Sequence, residues 1–115
     1  MTDAAMQLLV MVVHDEDAPT IIDALIGAGL PGATRVPSLG GFLQQRSSTL
    51  LIALERAQVS AALQAAAPHC HTRAQYVDPL PPRLGHIDAA LPYPLEVQVG
   101  GAVVFVLDLE RYERW

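Results

Sequence analysis

The chain opens on a nearly unbroken apolar segment, Gln7-Leu8-Leu9-Val10-Met11-Val12-Val13-His14. That is the pattern of a strand covered on both faces and therefore central in a sheet. Asp15, Glu16 and Asp17 stop it, and carboxylates in this place read as caps at the positive end of a helix. A helix is predicted over residues 18–28, with Pro19 tolerated in its first turn. Ile21, Ile22, Leu25 and Ile26 form its apolar stripe, and Gly27 and Gly29 supply stop signals. Residues 33–39 alternate as a strand whose Pro37 lacks an amide donor and points to an edge or a strand end. Gly40-Gly41 breaks it, residues 42–47 form a polar connection, and 48–55 read as a second strand. Val59, Ala62, Leu63 and Ala66 lie on one face of a helix over residues 57–67, which Pro68 ends.

Residues 71–77 fit a short strand. Residues 78–94 carry five prolines and Gly85, which predicts a long loop, and loops of that length in a compact domain usually serve function. The last two strands, 95–99 and 102–107, straddle Gly100-Gly101, a hairpin signal because glycine accepts the positive φ of tight turns. The order is β-α-β-β-α-β with an added C-terminal hairpin: an α+β, ferredoxin-like protomer with two helices on one sheet face. No helix remains to cover the other face, so self-association is expected to hide its Val, Leu and Ile side chains.

At 115 residues there is material for a single domain, spanning residues 1–115. Hydrophobic residues are 51% of the chain and charged ones 17%, which excludes the composition of disordered proteins. Twelve carboxylates face seven arginines, and there is no lysine; that balance argues against a basic face for nucleic acid. The single cysteine, Cys70, excludes an internal disulfide and fits a reducing compartment. The opening apolar run is too short to span a bilayer, so the expected setting is cytoplasmic, with no membrane partner.

Candidate chemistry is sparse. His69-Cys70-His71 lacks the further ligands a zinc site requires, so Cys70 reads as a small buried hydrophobe and the histidines as solvated. No metal or cofactor is expected. Catalytic glycine and serine motifs are absent, and nothing orients His14 towards Ser38, so no enzyme is expected. Tyr112 and Trp115 fit either an aromatic clamp or terminal aromatics docked on the sheet. What remains is Thr34-Arg35-Val36-Pro37-Ser38-Leu39-Gly40-Gly41-Phe42-Leu43. There, paired glycines let backbone amides approach an anion, hydroxyls add donors, Arg35 and Arg46 concentrate positive charge, and Phe42 offers a flat face to a base.

Over almost its whole length the chain resembles the cyclic di-AMP receptor family, PII-like signalling proteins of bacteria. The resemblance rests on Val13-His14-Asp15-Glu16-Asp17, Ser38-Leu39-Gly40-Gly41-Phe42-Leu43, Ser48-Thr49 and the long run from Pro92-Tyr93-Pro94 through Gly100-Gly101 to Phe105-Val106. It implies a homotrimer with cyclic dinucleotide clefts at the subunit interfaces and a sensor that binds its ligand without transforming it. It also implies ligand contacts at Thr34, Gly40, Gly41, Phe42, Leu43, Ser47 and Phe105, with a downstream protein partner left unidentified. Departures are Arg46-Ser47 where the family usually has Gly-Asn, Ala53 for a glycine, Leu39 for a threonine, and Arg114-Trp115 for Gln and Phe. Gly29-Leu30-Pro31-Gly32 stands where an asparagine and an arginine are usual, with Arg35 as the stand-in cation. The competing expectations are a divergent PII-like interaction module that binds another adenine nucleotide or none, and a metal-handling trimer built on His69, Cys70 and His71.

Overall fold

The computed structural model describes residues 5–39, 46–77 and 95–115. Its main sheet is antiparallel throughout and runs in the order β2-β3-β1-β6, built from β1 (Met6–His14), β2 (Thr34–Leu39), β3 (Arg46–Glu55) and β6 (Ala102–Asp108). A separate antiparallel ribbon pairs β4 (Arg73–Val77) with β5 (Leu95–Val99). Two helices, α1 (Ala18–Gly27) and α2 (Val59–Ala66), complete the α+β layer.

Alternation along the strands decides which side chains meet the helices. Leu9, Met11 and Val13 of β1 and Leu50, Ile52 and Leu54 of β3 are buried against Ile21 and Leu25 of α1 and Val59, Ala62 and Ala66 of α2. The predicted stripe of α1 is narrower than expected: Ile22 is half-buried and Ile26 exposed. Gly29, at φ +82°, ends α1. Its amide donates to Ile26 O (2.9 Å) and the Leu30 amide to Leu25 O (3.1 Å), a Schellman closure that folds Leu30 into the core. At the start of the α2 turn the Glu55 amide donates to Gln58 Oε1 (3.1 Å), one arm of a capping box.

The added C-terminal hairpin is not formed. β5 pairs with β4, and β6 pairs with β1 from Gln7↔Asp108 to Val13↔Ala102. Gly100 and Gly101 do take positive φ, +88° and +86°, but for a different reason. The Gly101 amide donates to Cys70 O (2.6 Å), and a Cβ on Gly100 would lie 2.3 Å from His71 O. The glycines let the chain pass tightly against the link between α2 and β4 as it crosses from the ribbon to the main sheet. The turn signal was real; its strands found other partners.

The sheet face away from the helices carries Leu8, Val10 and Val12 of β1, Leu51 and Ala53 of β3, and Val103, Phe105 and Leu107 of β6. Val103, Phe105 and Leu107 are exposed and the β1 and β3 residues half-exposed, so β1 is central but covered on one face within the single chain. Trp115 is fully exposed and so is not docked on the sheet, and Tyr112 is 47% exposed.

Candidate functional site

The 3-10 turn Asp15–Asp17 leaves β1 and leads into α1, and it was expected to supply caps. Neither this turn nor α1 has a side-chain cap hydrogen bond. The carboxylates serve tertiary contacts instead. Asp15 Oδ1 accepts from Ser48 Oγ (2.7 Å) and from the Arg35 guanidinium (2.8 Å), while Arg35 Nε donates to Ser48 Oγ (3.0 Å). The Ser48 hydrogen bond, reinforced by Arg35, holds the Asp15 carboxyl below its ordinary pKa. Asp17 is buried and takes both terminal nitrogens of Arg73, at 2.8 and 3.4 Å. One short turn therefore fastens two strand pairs: β2–β3 through Asp15, and β4–β5 through Asp17.

Beyond this network, at the end of β2 and β3, a cleft of about 450 Å³ is lined by Asp15, Pro37, Ser38, Arg46 and Ser47. The register places Ser38 opposite Ser47, and Ser47 opposite His14, so the three share the helix-free face. The Ser38 and Ser47 hydroxyls lie 2.9 Å apart. Ser47 is buried and Arg46 exposed.

Of the residues expected to contact a ligand, Gly40, Gly41, Phe42 and Leu43 lie outside the described residues. Thr34, Ser47 and Phe105 are described, and one protomer does not bring them together. Thr34 pairs with Leu51, Leu51 with Val10 and Val10 with Phe105, so Thr34 and Phe105 stand in one row at opposite edges of the helix-free face. Three strand spacings of about 4.8 Å separate them by roughly 14 Å. Ser47 lies four residues along β3 from that row, roughly 13 Å away.

Arg35 is not a free cation for a ligand, because Asp15 and Ser48 occupy it. Arg46 and Ser38, which the sequence marks as a positive charge and a hydroxyl donor beside Gly40-Gly41, both line the cleft.

Among the described residues no group of three or more His, Cys, Asp and Glu side chains is placed to hold a metal ion. Cys70 packs against the core, and its thiol donates to Ala66 O (3.2 Å). Burial pushes that thiol's pKa up, away from the thiolate a metal needs. Among the same residues no helix is long and apolar enough to cross a membrane.

Comparison with known proteins gives three findings. A family model described as cyclic-di-AMP receptor matches residues 6–115. A crystal structure of a protein from Pediococcus pentosaceus ATCC 25745, described as functionally unknown, is 32% identical, covering 97% of this chain and 99% of that one, with a TM-score of 0.72. Arabidopsis thaliana PII bound to citrate is 15% identical, covering 93% of this chain and 79% of that one, with a TM-score of 0.58; this second likeness is one of fold.

Proposed function

The chain belongs to the cyclic-di-AMP receptor family, and from that premise we propose that it is a PII-like signal receptor binding cyclic di-AMP at the seams of a homotrimer. The family match over residues 6–115 carries the reading. The seam is supported by the row Thr34, Leu51, Val10 and Phe105. Thr34 on the β2 edge and Phe105 on the β6 edge are too far apart for one small pocket within a chain. A neighbouring copy that sets its β6 edge beside β2 joins them into one. The apolar helix-free face supplies the drive for that assembly.

In this reading Gly40 and Gly41 present backbone amides to the ligand, Phe42, Leu43 and Phe105 line an adenine pocket, and Thr34 and Ser47 add hydroxyls. Binding rearranges the segments 42–47 and 78–94 and so changes the surface offered to a downstream protein, since a ligand shifts only states it binds unequally. Both segments are rooted on the one turn: β2–β3 through Asp15 and β4–β5 through Asp17. No side chain is assigned a catalytic role, and the cytoplasm is the setting of the reading.

Isothermal titration against cyclic di-AMP, ATP and AMP tests it. Saturable binding of cyclic di-AMP at micromolar concentration, weakened in Phe42→Ala, is expected. Binding of AMP or ATP alone would favour the divergent adenine-nucleotide module, and no binding of any of the three would leave a protein-contact module.

A further inference from the structure

Among the described residues no side chain of the edge strand β2 joins the buried core, yet β2 carries Thr34, one of the residues assigned to the ligand. It pairs there with β3 alone, and Pro37, opposite Ser48, has no amide to give to that ladder. Side-chain bonds hold the strand as well. On the helix-free face the Ser38 and Ser47 hydroxyls lie 2.9 Å apart. On the helix side three side chains close a ring. Ser48 Oγ donates to Asp15 Oδ1 (2.7 Å), the Arg35 guanidinium donates to the same oxygen (2.8 Å), and Arg35 Nε donates to Ser48 Oγ (3.0 Å). Ser48 is fully buried, and the Asp15 and Arg35 side chains are 29% and 33% exposed, so water competes weakly for these charge-assisted bonds.

The ring surrounds the ligand residues without using them. Arg35 follows Thr34 and Ser48 follows Ser47, and successive strand side chains point to opposite faces. Pinning Arg35 and Ser48 on the helix side therefore fixes Thr34 and Ser47 on the helix-free face. Asp15 stands on the turn that leaves β1, so the ring ties the β2–β3 edge to the central strand. Its carboxylate is balanced where it stands, by Arg35 in contact and by Arg46 within electrostatic reach. Resting on the reading of this protein as a cyclic di-AMP receptor, we propose that Asp15 is a positioning residue for the dinucleotide: through Arg35 and Ser48 it sets the placement of Thr34 and Ser47 before the ligand arrives, and it makes no ligand contact of its own. A site ordered in advance does not lose that ordering free energy on binding.

The test is titration of cyclic di-AMP into wild type, Asp15→Ala, Asp15→Asn, Arg35→Ala, the double variant Asp15→Ala/Arg35→Ala, and Ile21→Val, at a temperature where circular dichroism shows each to be folded. Ile21 is fully buried on α1 and takes no part in the ring. Its truncation lowers Tm and leaves the affinity of the folded molecules at the wild-type value. Asp15→Ala binds about 2- to 10-fold more weakly, the scale of one side chain's ordering cost. Asp15→Asn, which keeps an oxygen for Ser48 and Arg35, falls between that variant and wild type. Arg35→Ala opens the same ring from its other end, which keeps the test open where Asp15→Ala does not fold. The double variant binds no more weakly than the weaker single one, as residues acting as one unit require. The positioning role is overturned, and the receptor reading stands, if wild type binds and Asp15→Ala matches it or binds more tightly. Additive losses from Asp15→Ala and Arg35→Ala, or an Ile21→Val loss equal to that of Asp15→Ala, overturn it equally. If wild type fails to bind cyclic di-AMP, the receptor reading itself falls and takes the positioning role with it.

Discussion

Phe105→Ser isolates the drive for assembly from the stability of the fold. In the single chain Phe105 is 51% exposed, on a strand held to β1 by backbone pairing with Val10 opposite. An aromatic side chain presents roughly 200 Å², so about 100 Å² of ring still faces solvent. At about 25 cal/mol per Å², covering it contributes about 2.5 kcal/mol per copy. A closed trimer covers three, or about 7.5 kcal/mol, a little over about five decades in the assembly constant at about 1.4 kcal/mol per decade. Serine on a strand edge costs the monomer little by comparison, because the ring is not part of the buried core. Sedimentation velocity at micromolar concentration is the assay. Wild type is expected at three times the 12.3 kDa chain mass and Phe105→Ser at the chain mass, with unchanged far-UV circular dichroism. A variant that keeps the wild-type mass across the dilution series refutes the placement of Phe105 in the seam, and a wild type at 12.3 kDa refutes the trimer.

Four further outcomes follow from the packing and the charges. Leu50→Ala removes a fully buried core side chain on β3, between β1 and β2, and is expected to cost about 2–5 kcal/mol in urea unfolding. Gly100→Ala places a methyl 2.3 Å from His71 O on a residue at φ +88°; strained backbone alone costs about 1–3 kcal/mol, so a lowered Tm well beyond the effect of a surface alanine is expected. Asp15 has a folded pKa below its unfolded value of 3.8, so its contribution to stability is complete above that value and is lost as pH falls through the folded pKa. Urea midpoints measured against pH should therefore fall in the acid range for wild type and less steeply for Asp15→Asn. Purified protein should carry zinc and copper far below one ion per chain by elemental analysis, because the Cys70 thiol is held protonated by burial; a stoichiometric ion would restore the His69, Cys70 and His71 reading.

The elements were legible where burial and periodicity agree. Leu9, Met11 and Val13 alternate with half-exposed partners, and Ile21, Leu25, Val59, Ala62 and Ala66 repeat at helical spacing, so local pattern and global packing pointed to the same two-layer core. Strand pairing was less legible, because it is a choice among partners distant in sequence. Gly100-Gly101 between two apolar runs satisfies a hairpin and equally satisfies a tight crossing between sheets. The deciding contacts, Gly101 to Cys70 and β6 to β1, span about thirty and ninety residues, where a local signal has no reach.

The site was legible in the same uneven way, and for an electrostatic reason. A run of acids before a helix satisfies the capping rule on composition alone, but a capping hydrogen bond needs the side chain to turn back onto its own backbone. Asp15 and Asp17 turn outward because Arg35, Ser48 and Arg73 reach them from three different strands, and charge-assisted bonds are stronger than neutral caps. Those partners decide which cations remain for a ligand. Counted along the chain, Arg35 and Arg46 are equivalent positive charges flanking Gly40-Gly41; in the folded chain Arg35 is ion-paired with Asp15, and Arg46 lines the cleft within the electrostatic reach of the same carboxylate. Opposite-edge placement works in the same direction. Thr34 and Phe105 are separated by seventy-one positions in the chain and by two intervening strands in space, and only a second copy can make neighbours of them.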